Sequence, residues 1–156
     1  MDIINSVERG RKHMSLLSVL SLRAGLVVFA SLVGYFFIMK ALGLYHVLIL
    51  RAFNSVFLGV GIWIALSRYR KMLHKKLEYF MGIRIGVLVT LIAGIPFAIF
   101  MGVYLALDTD FMNYISQNHE FVTDLSPVAA AIAVAMEGLS SGFMLTFVFM
   151  PFFKKQ

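Results

Sequence analysis

The sequence predicts an all-α integral membrane protein, a four-transmembrane-helix bundle with short loops, and three observations carry that expectation. The 156 residues are 60% hydrophobic and only 14% charged, with a mean hydropathy of +0.87. A water-soluble fold of this size has no interior large enough to hide so much apolar surface, so lipid is one of its solvents. The apolar residues fall into four runs, each close to the roughly 20 residues that cross a bilayer as a helix. Finally, the basic residues cluster at the ends of those runs instead of spreading over a surface, the distribution of an inserted chain. The net charge of +6 therefore does not imply nucleic-acid binding.

Taken in order, residues 1–13 place Ile3, Ile4 and Val7 near helical spacing among Asp2, Glu8, Arg9, Arg11 and Lys12. This pattern fits a short helix on the membrane surface or a solvated tail. The run that follows is long and lacks a small-residue cleavage site, so the N-terminus is expected to be retained. The first span is expected over residues 16–39, with Arg23 snorkelling towards the headgroups. Ala30 and Gly34 offer it a small face, and Lys40 to Tyr45, with Gly43, makes a turn.

The second span is expected over residues 46–66. It carries Arg51 and Asn54 on one face, three residues apart, and Trp63 and Tyr69 towards its far end at headgroup level. A dense basic cluster follows, with Arg68, Arg70, Lys71, Lys75 and Lys76. It determines topology, and it offers a surface for anionic lipid or for a partner's acids.

The third span, residues 84–107, follows a projecting turn that holds Glu78. Pro96 lies inside it and should bend it, because proline removes a backbone donor and crowds the preceding turn. Gly94, Ala98 and Gly102 recur every four residues, the spacing of a helix-packing or partner face.

Residues 108–126 form an acidic loop with Asp108, Asp110, Glu120 and Asp124 and no lysine or arginine. Ser126 and Pro127 suit a helix start, since serine caps orphan amides and proline tolerates the first turn. The fourth span, residues 128–152, is rich in alanine, glycine and serine, includes a second small face at Gly138 and Gly142, and carries the carboxylate Glu137 near its middle.

Counting bases fixes the expected orientation. One side holds Arg9, Arg11, Lys12, the five bases from Arg68 to Lys76, Lys154 and Lys155; the other holds Lys40 alone. The positive-inside rule then places both termini and the middle loop in the cytoplasm.

Two blocks resemble an uncharacterised four-helix inner-membrane family of Bacteroidota. One is Glu78-Tyr79-Phe80-Met81-Gly82-Ile83-Arg84-Ile85-Gly86, and the other is Tyr104-Leu105-Ala106-Leu107-Asp108-Thr109-Asp110-Phe111-Met112; the small-residue last helix ending in Lys154-Lys155 is also similar. The resemblance implies the fold and the bacterial inner membrane, and it implies no activity.

Candidate chemistry centres on Glu137. At a rise of about 1.5 Å per residue, Glu137 and Asn54 lie nearly level and Arg51 about one turn higher. An intramembrane polar core of Glu137, Arg51 and Asn54 is therefore expected, and a protonated Glu137 or a proton or ion relay are the other possibilities. His13, His46, His74 and His119 show no ligand spacing on one helix, and there is no cysteine. No metal and no cofactor is expected. Nucleophile elbow, zinc-protease, Walker and dinucleotide motifs are all absent, so an enzyme is not expected. The expected role is an accessory or scaffolding subunit of a larger inner-membrane complex. Its partners would be membrane lipids and either further copies of itself or other subunits. A small transporter using Glu137 as its titrating site is the alternative.

Overall fold

The computed structural model describes the backbone of residues 2–43, 48–73, 79–108 and 126–154, and the side chains of 16–43, 53–72, 79–108 and 126–153. Among the described residues there are four helices: α1 (Asp2–Ala41), α2 (Leu48–Leu73), α3 (Tyr79–Leu107) and α4 (Pro127–Lys154). The protein is all-helical. Three segments, Leu16–Ala41, Tyr79–Leu107 and Pro127–Phe153, are long and apolar enough to cross a membrane.

The surface helix and the first span, expected as separate pieces, form one uninterrupted helix of 40 residues. At about 1.5 Å per residue this is about 60 Å, twice the thickness of a hydrocarbon core, so its N-terminal part extends beyond the apolar stretch. No proline interrupts residues 2–41, and the sole glycine between the two pieces, Gly10, is tolerated in a long helix. The helix closes as glycine chemistry dictates: Gly43 takes a φ of 67° and its amide donates to the Lys40 carbonyl at 3.0 Å. Any side chain at this left-handed position would be strained.

At the start of α4 the expected cap is present. The Ser126 hydroxyl accepts from the Ala129 amide at 3.1 Å, and the Ser126 carbonyl takes the Ala130 amide at 3.0 Å. Helix α3 runs through Pro96 without a break in its assignment.

Interhelix contacts set the directions. Gly25 of α1 meets Ile92 of α3, and Phe36 meets Phe100 and Tyr104, so the two numbers rise together and α1 and α3 are parallel. Gly59 of α2 meets Leu145 and Phe149 of α4, again parallel. Gly86, Thr90 and Gly102 of α3 meet Thr146, Gly142 and Ala131 of α4, so that pair is antiparallel. Helix α3 touches the other three, whereas α1 and α4 lie across from each other. One end of the molecule is thus the acidic-loop end, where α1 and α3 finish. The other is the basic end, where α2 and α4 finish.

The core is built from Leu17, Leu20, Val28 and Leu32 of α1, Leu58, Ile62, Leu66 and Tyr69 of α2, and Ile85, Val89, Ala93, Phe97 and Met101 of α3. Helix α4 adds only Met150 and Phe153, at the basic end.

Candidate functional site

The α3–α4 seam is a close approach built from one pattern used twice. Glycine stands four residues before threonine in both helices: Gly86 and Thr90 in α3, Gly142 and Thr146 in α4. Thr90 lies against Gly142, and Thr146 lies against Gly86. Each threonine hydroxyl donates back to the glycine carbonyl one turn earlier, at 2.8 Å for Thr90 and 2.7 Å for Thr146. The hydroxyl is thereby satisfied inside its own helix, and the whole side chain is free to fill the space that the opposite glycine leaves. Because the helices are antiparallel, both pairs form at once. Two turns or more further on, a Cβ at Gly102 would stand 2.8 Å from that of Ala131, so this approach too needs glycine.

These contacts separate the five residues of the two expected small-residue faces. Gly102 and Gly142 are used inside the chain, and Ala98 is buried. Gly94 and Gly138 have nothing within 4 Å of the place a Cβ would occupy. Gly86, spaced by four from Gly82, was legible in the sequence as part of a small face, and Thr90 was missed. The signal was there as a repeated Gly-x-x-x-Thr, but threonine was not weighed as the filler of a glycine gap.

Of the expected polar core of Glu137, Arg51 and Asn54, the side chains of Glu137 and Asn54 are described. Glu137 is exposed, on the side of α4 turned away from α3. At about 100° per residue it stands roughly 140° from Gly142 around the helix, which is why the seam excludes it. Asn54 is half-buried on α2. The α2–α4 register, Gly59 with Leu145 and Phe149, carried outward along the two helices, sets Asn54 near the level of Ser140. The Arg51 side chain lies outside the described residues. Along α3, the antiparallel register sets Glu137 level with Pro96, close to the helix midpoint.

Around Glu137, the open surface of α4 mixes small and large side chains: towards the acidic end it exposes Ala129, Ala133 and Ser140 together with Val128, Ile132 and Met136, and towards the basic end Met144, Phe147, Val148 and Phe152. Ser140 and Ser141 donate to the carbonyls of Met136 at 2.7 Å and Gly138 at 3.1 Å. Only 11% of the most apolar window of α4 is buried inside the molecule, against 44% for α3.

A second polar group, also missed in the sequence, ties the acidic ends of α1 and α3 together. Lys40 Nζ lies 2.7 Å from Asp108 Oδ2, donates to the Tyr104 hydroxyl and sits 4.6 Å from the centre of the Tyr104 ring. The Tyr104 hydroxyl in turn donates to Asp108 Oδ2 at 2.7 Å. Phe36 closes on Tyr104 edge-on, with ring centres 4.8 Å apart. Sequence alone treated Lys40 and Asp108 as loop charges, because 68 residues separate them.

At the opposite end, Trp63 of α2 joins α4 through Phe149, Phe152 and Phe153, with ring centres 5.3, 6.5 and 4.8 Å away. Arg68 and Lys71 are exposed and Arg70 is half-buried. Lys75 and Lys76 lie outside the described residues, as do the side chains of all four histidines and residues 109–125 of the acidic loop. Among the described residues no group of histidine or carboxylate side chains has the makings of a metal site. Among the described residues, Ser21, Thr90 and Thr146 are buried polar side chains, and the Ser21 hydroxyl is without a hydrogen-bond partner there.

Comparison with known proteins finds no matching family model, no matching curated protein and no matching solved structure.

Proposed function

We propose that this chain is a small multi-pass protein of the bacterial inner membrane, and that it acts as an accessory or scaffolding subunit. It binds a larger complex through the outward face of α4. In this reading α2 crosses the bilayer as well. Helices α1 and α3 are parallel neighbours, so a chain that crosses with both must return across the membrane between them. The basic end faces the cytoplasm, following the excess of lysine and arginine there.

The observation that carries the reading is the α4 face. A carboxylate exposed near the middle of an apolar helix is costly against acyl chains, and alanine and serine beside it permit close approach of another helix. The described interior argues for scaffolding over conduction, since its polar side chains are three hydroxyls, two of them bonded within their own helices.

The chain contains no cysteine, so single replacements report without background. Ala133→Cys and Ser140→Cys, each labelled with benzophenone maleimide, should give one discrete protein adduct on irradiation in native membranes, since the excited ketone inserts into any neighbouring C–H bond. Ile99→Cys, on the exposed face of α3, should give none. Equal labelling of all three by a lipid-dissolved maleimide, with no protein adduct from any, would remove the subunit reading.

A further inference from the structure

The basic end of α2 carries a strip that the subunit reading leaves unused. Trp63 is 43% exposed although three phenylalanines surround it, and Phe152 beside it is 60% exposed. The seam between α2 and α4 is thus faced here by aromatic rings open to the surroundings. Below Trp63 on the same helix come Ser67, Arg70 and Lys71 at i+4, i+7 and i+8. At about 100° per residue these stand roughly 40°, 20° and 80° from Trp63 around the helix, so all lie on its side. The rise from Trp63 to the two cations is about 10 to 12 Å. That is the separation between the upper part of an acyl chain and the phosphate of the same lipid, given a hydrocarbon half-thickness of about 15 Å.

We propose that this strip is a binding site for an anionic glycerophospholipid, one acyl chain lying on Trp63, Phe149 and Phe152 and the phosphate held by Arg70 and Lys71. The proposal rests on the membrane reading above, and gives the basic cluster a definite ligand in place of a general preference for one side. Charge complementarity selects the occupant. Guanidinium and ammonium groups beside one another recognise a phosphate, and a neutral zwitterionic headgroup would bring its own cation against them. At the acidic end the described residues hold a single cation, Lys40, and so no adjoining pair of cations. The site therefore belongs to one leaflet.

Trp63 is the single tryptophan in the chain, so its fluorescence reports on this place alone. The full chain would be reconstituted in phosphatidylcholine vesicles containing either brominated phosphatidylglycerol or brominated phosphatidylcholine at equal mole fraction. The brominated anionic lipid should quench Trp63 well beyond its mole fraction, with a relative binding constant of about fivefold or more over the zwitterionic one. Lys71→Gln, an exposed position, should lower that ratio, and Arg70→Gln with Lys71→Gln should bring it near unity while helix content and emission maximum stay unchanged. Should the double variant misfold, Lys71→Gln alone decides. Equal quenching by both lipids, or a ratio that survives the lysine replacement, overturns the site and leaves the membrane reading standing. Absence of quenching by either lipid overturns both.

Discussion

Helices α3 and α4 have nearly the same length, 29 and 28 residues, and contribute equally to the seam between them. Their surroundings are nevertheless opposite. Helix α3 is covered on three sides and supplies the centre of the core, while α4 is held along one face and leaves the rest open. The lesson lies in how small residues are used. Each helix holds both kinds: in α3, Gly86 and Gly102 meet a neighbour while Gly94 meets nothing, and in α4, Gly142 meets Thr90 while Gly138, one turn away, meets nothing. Spacing by four places glycines on one helix face without saying whether a neighbour arrives there. A facing side chain of the right volume decides that.

The largest expected effect tests this contrast within one helix. Gly142→Val drives a branched side chain into Thr90 in a seam where both backbones are fixed by the reciprocal pair. Overpacking of this kind costs about 1 to 3 kcal/mol, and more where neither helix can move. Gly138→Val places the same side chain in open space, so its effect on the fold should stay within about 0.5 kcal/mol. Unfolding in mixed micelles, followed by helix content, separates the two. Equal losses would mean that the seam does not run where Gly86 and Gly142 place it.

The next effect concerns how α4 begins. The start of α4 packs beside Gly102 of α3, and its first turn is closed by the Ser126 cap. Ser126→Ala removes the acceptor for the Ala129 amide and should cost about 1 kcal/mol. Faster amide exchange over residues 127–131, with α3 unchanged, is the expected signature. Uniform exchange across both helices would show that α4 is held as firmly as α3.

Much of this architecture was legible in the residues. The helix boundaries near Leu107, the Ser126–Pro127 start and the turn at Gly43 follow from local chemistry, and of the four apolar runs expected to span, three lie in helices long and apolar enough to cross a membrane among the described residues. What was not legible depends on contacts between distant parts of the chain. The pairing of Lys40 with Asp108 needs α1 and α3 to be parallel neighbours, a fact carried by no local pattern. The direction in which Glu137 stands was not legible either, because it depends on which face of α4 holds Gly142 and Thr146. The continuity of α1 from Asp2 was missed because a change in composition near residue 14 looks like a boundary although nothing in the backbone breaks there.

The polar tie at the acidic end should matter less than the seam. Lys40 is 43% exposed and Asp108 24% exposed at their side chains, and ion pairs with such access to solvent contribute about 0.2 to 1 kcal/mol. Asp108→Asn should therefore lower stability by no more than about that amount, chiefly by freeing the end of α1, and added salt should reduce the difference between the two proteins. A cysteine pair at positions 37 and 100, whose rings now stand 5.8 Å apart, would report the separation of α1 from α3 by its rate of oxidation. A rate unchanged by Asp108→Asn would leave the holding of that end to Phe36, Phe37 and Phe100.

The smallest effect on the fold should come from the residue with the most conspicuous chemistry. Glu137 is exposed and lies off the α3–α4 seam, so Glu137→Gln keeps its shape, removes its charge and leaves the internal packing of α4 intact. Surface replacements of this kind usually change stability by less than about 0.5 kcal/mol. Binding should respond differently. A partner group that meets a carboxylate near the middle of a membrane loses a charged acceptor when the amide replaces it, and with one partner of a buried charged contact removed, an interface weakens by about 2 to 5 kcal/mol. The adduct formed from Ser140→Cys should then fall sharply in the Glu137→Gln background while micelle stability stays level. A loss of stability without a loss of adduct would reverse the assignment, making Glu137 a residue of the fold and returning the open face of α4 to lipid.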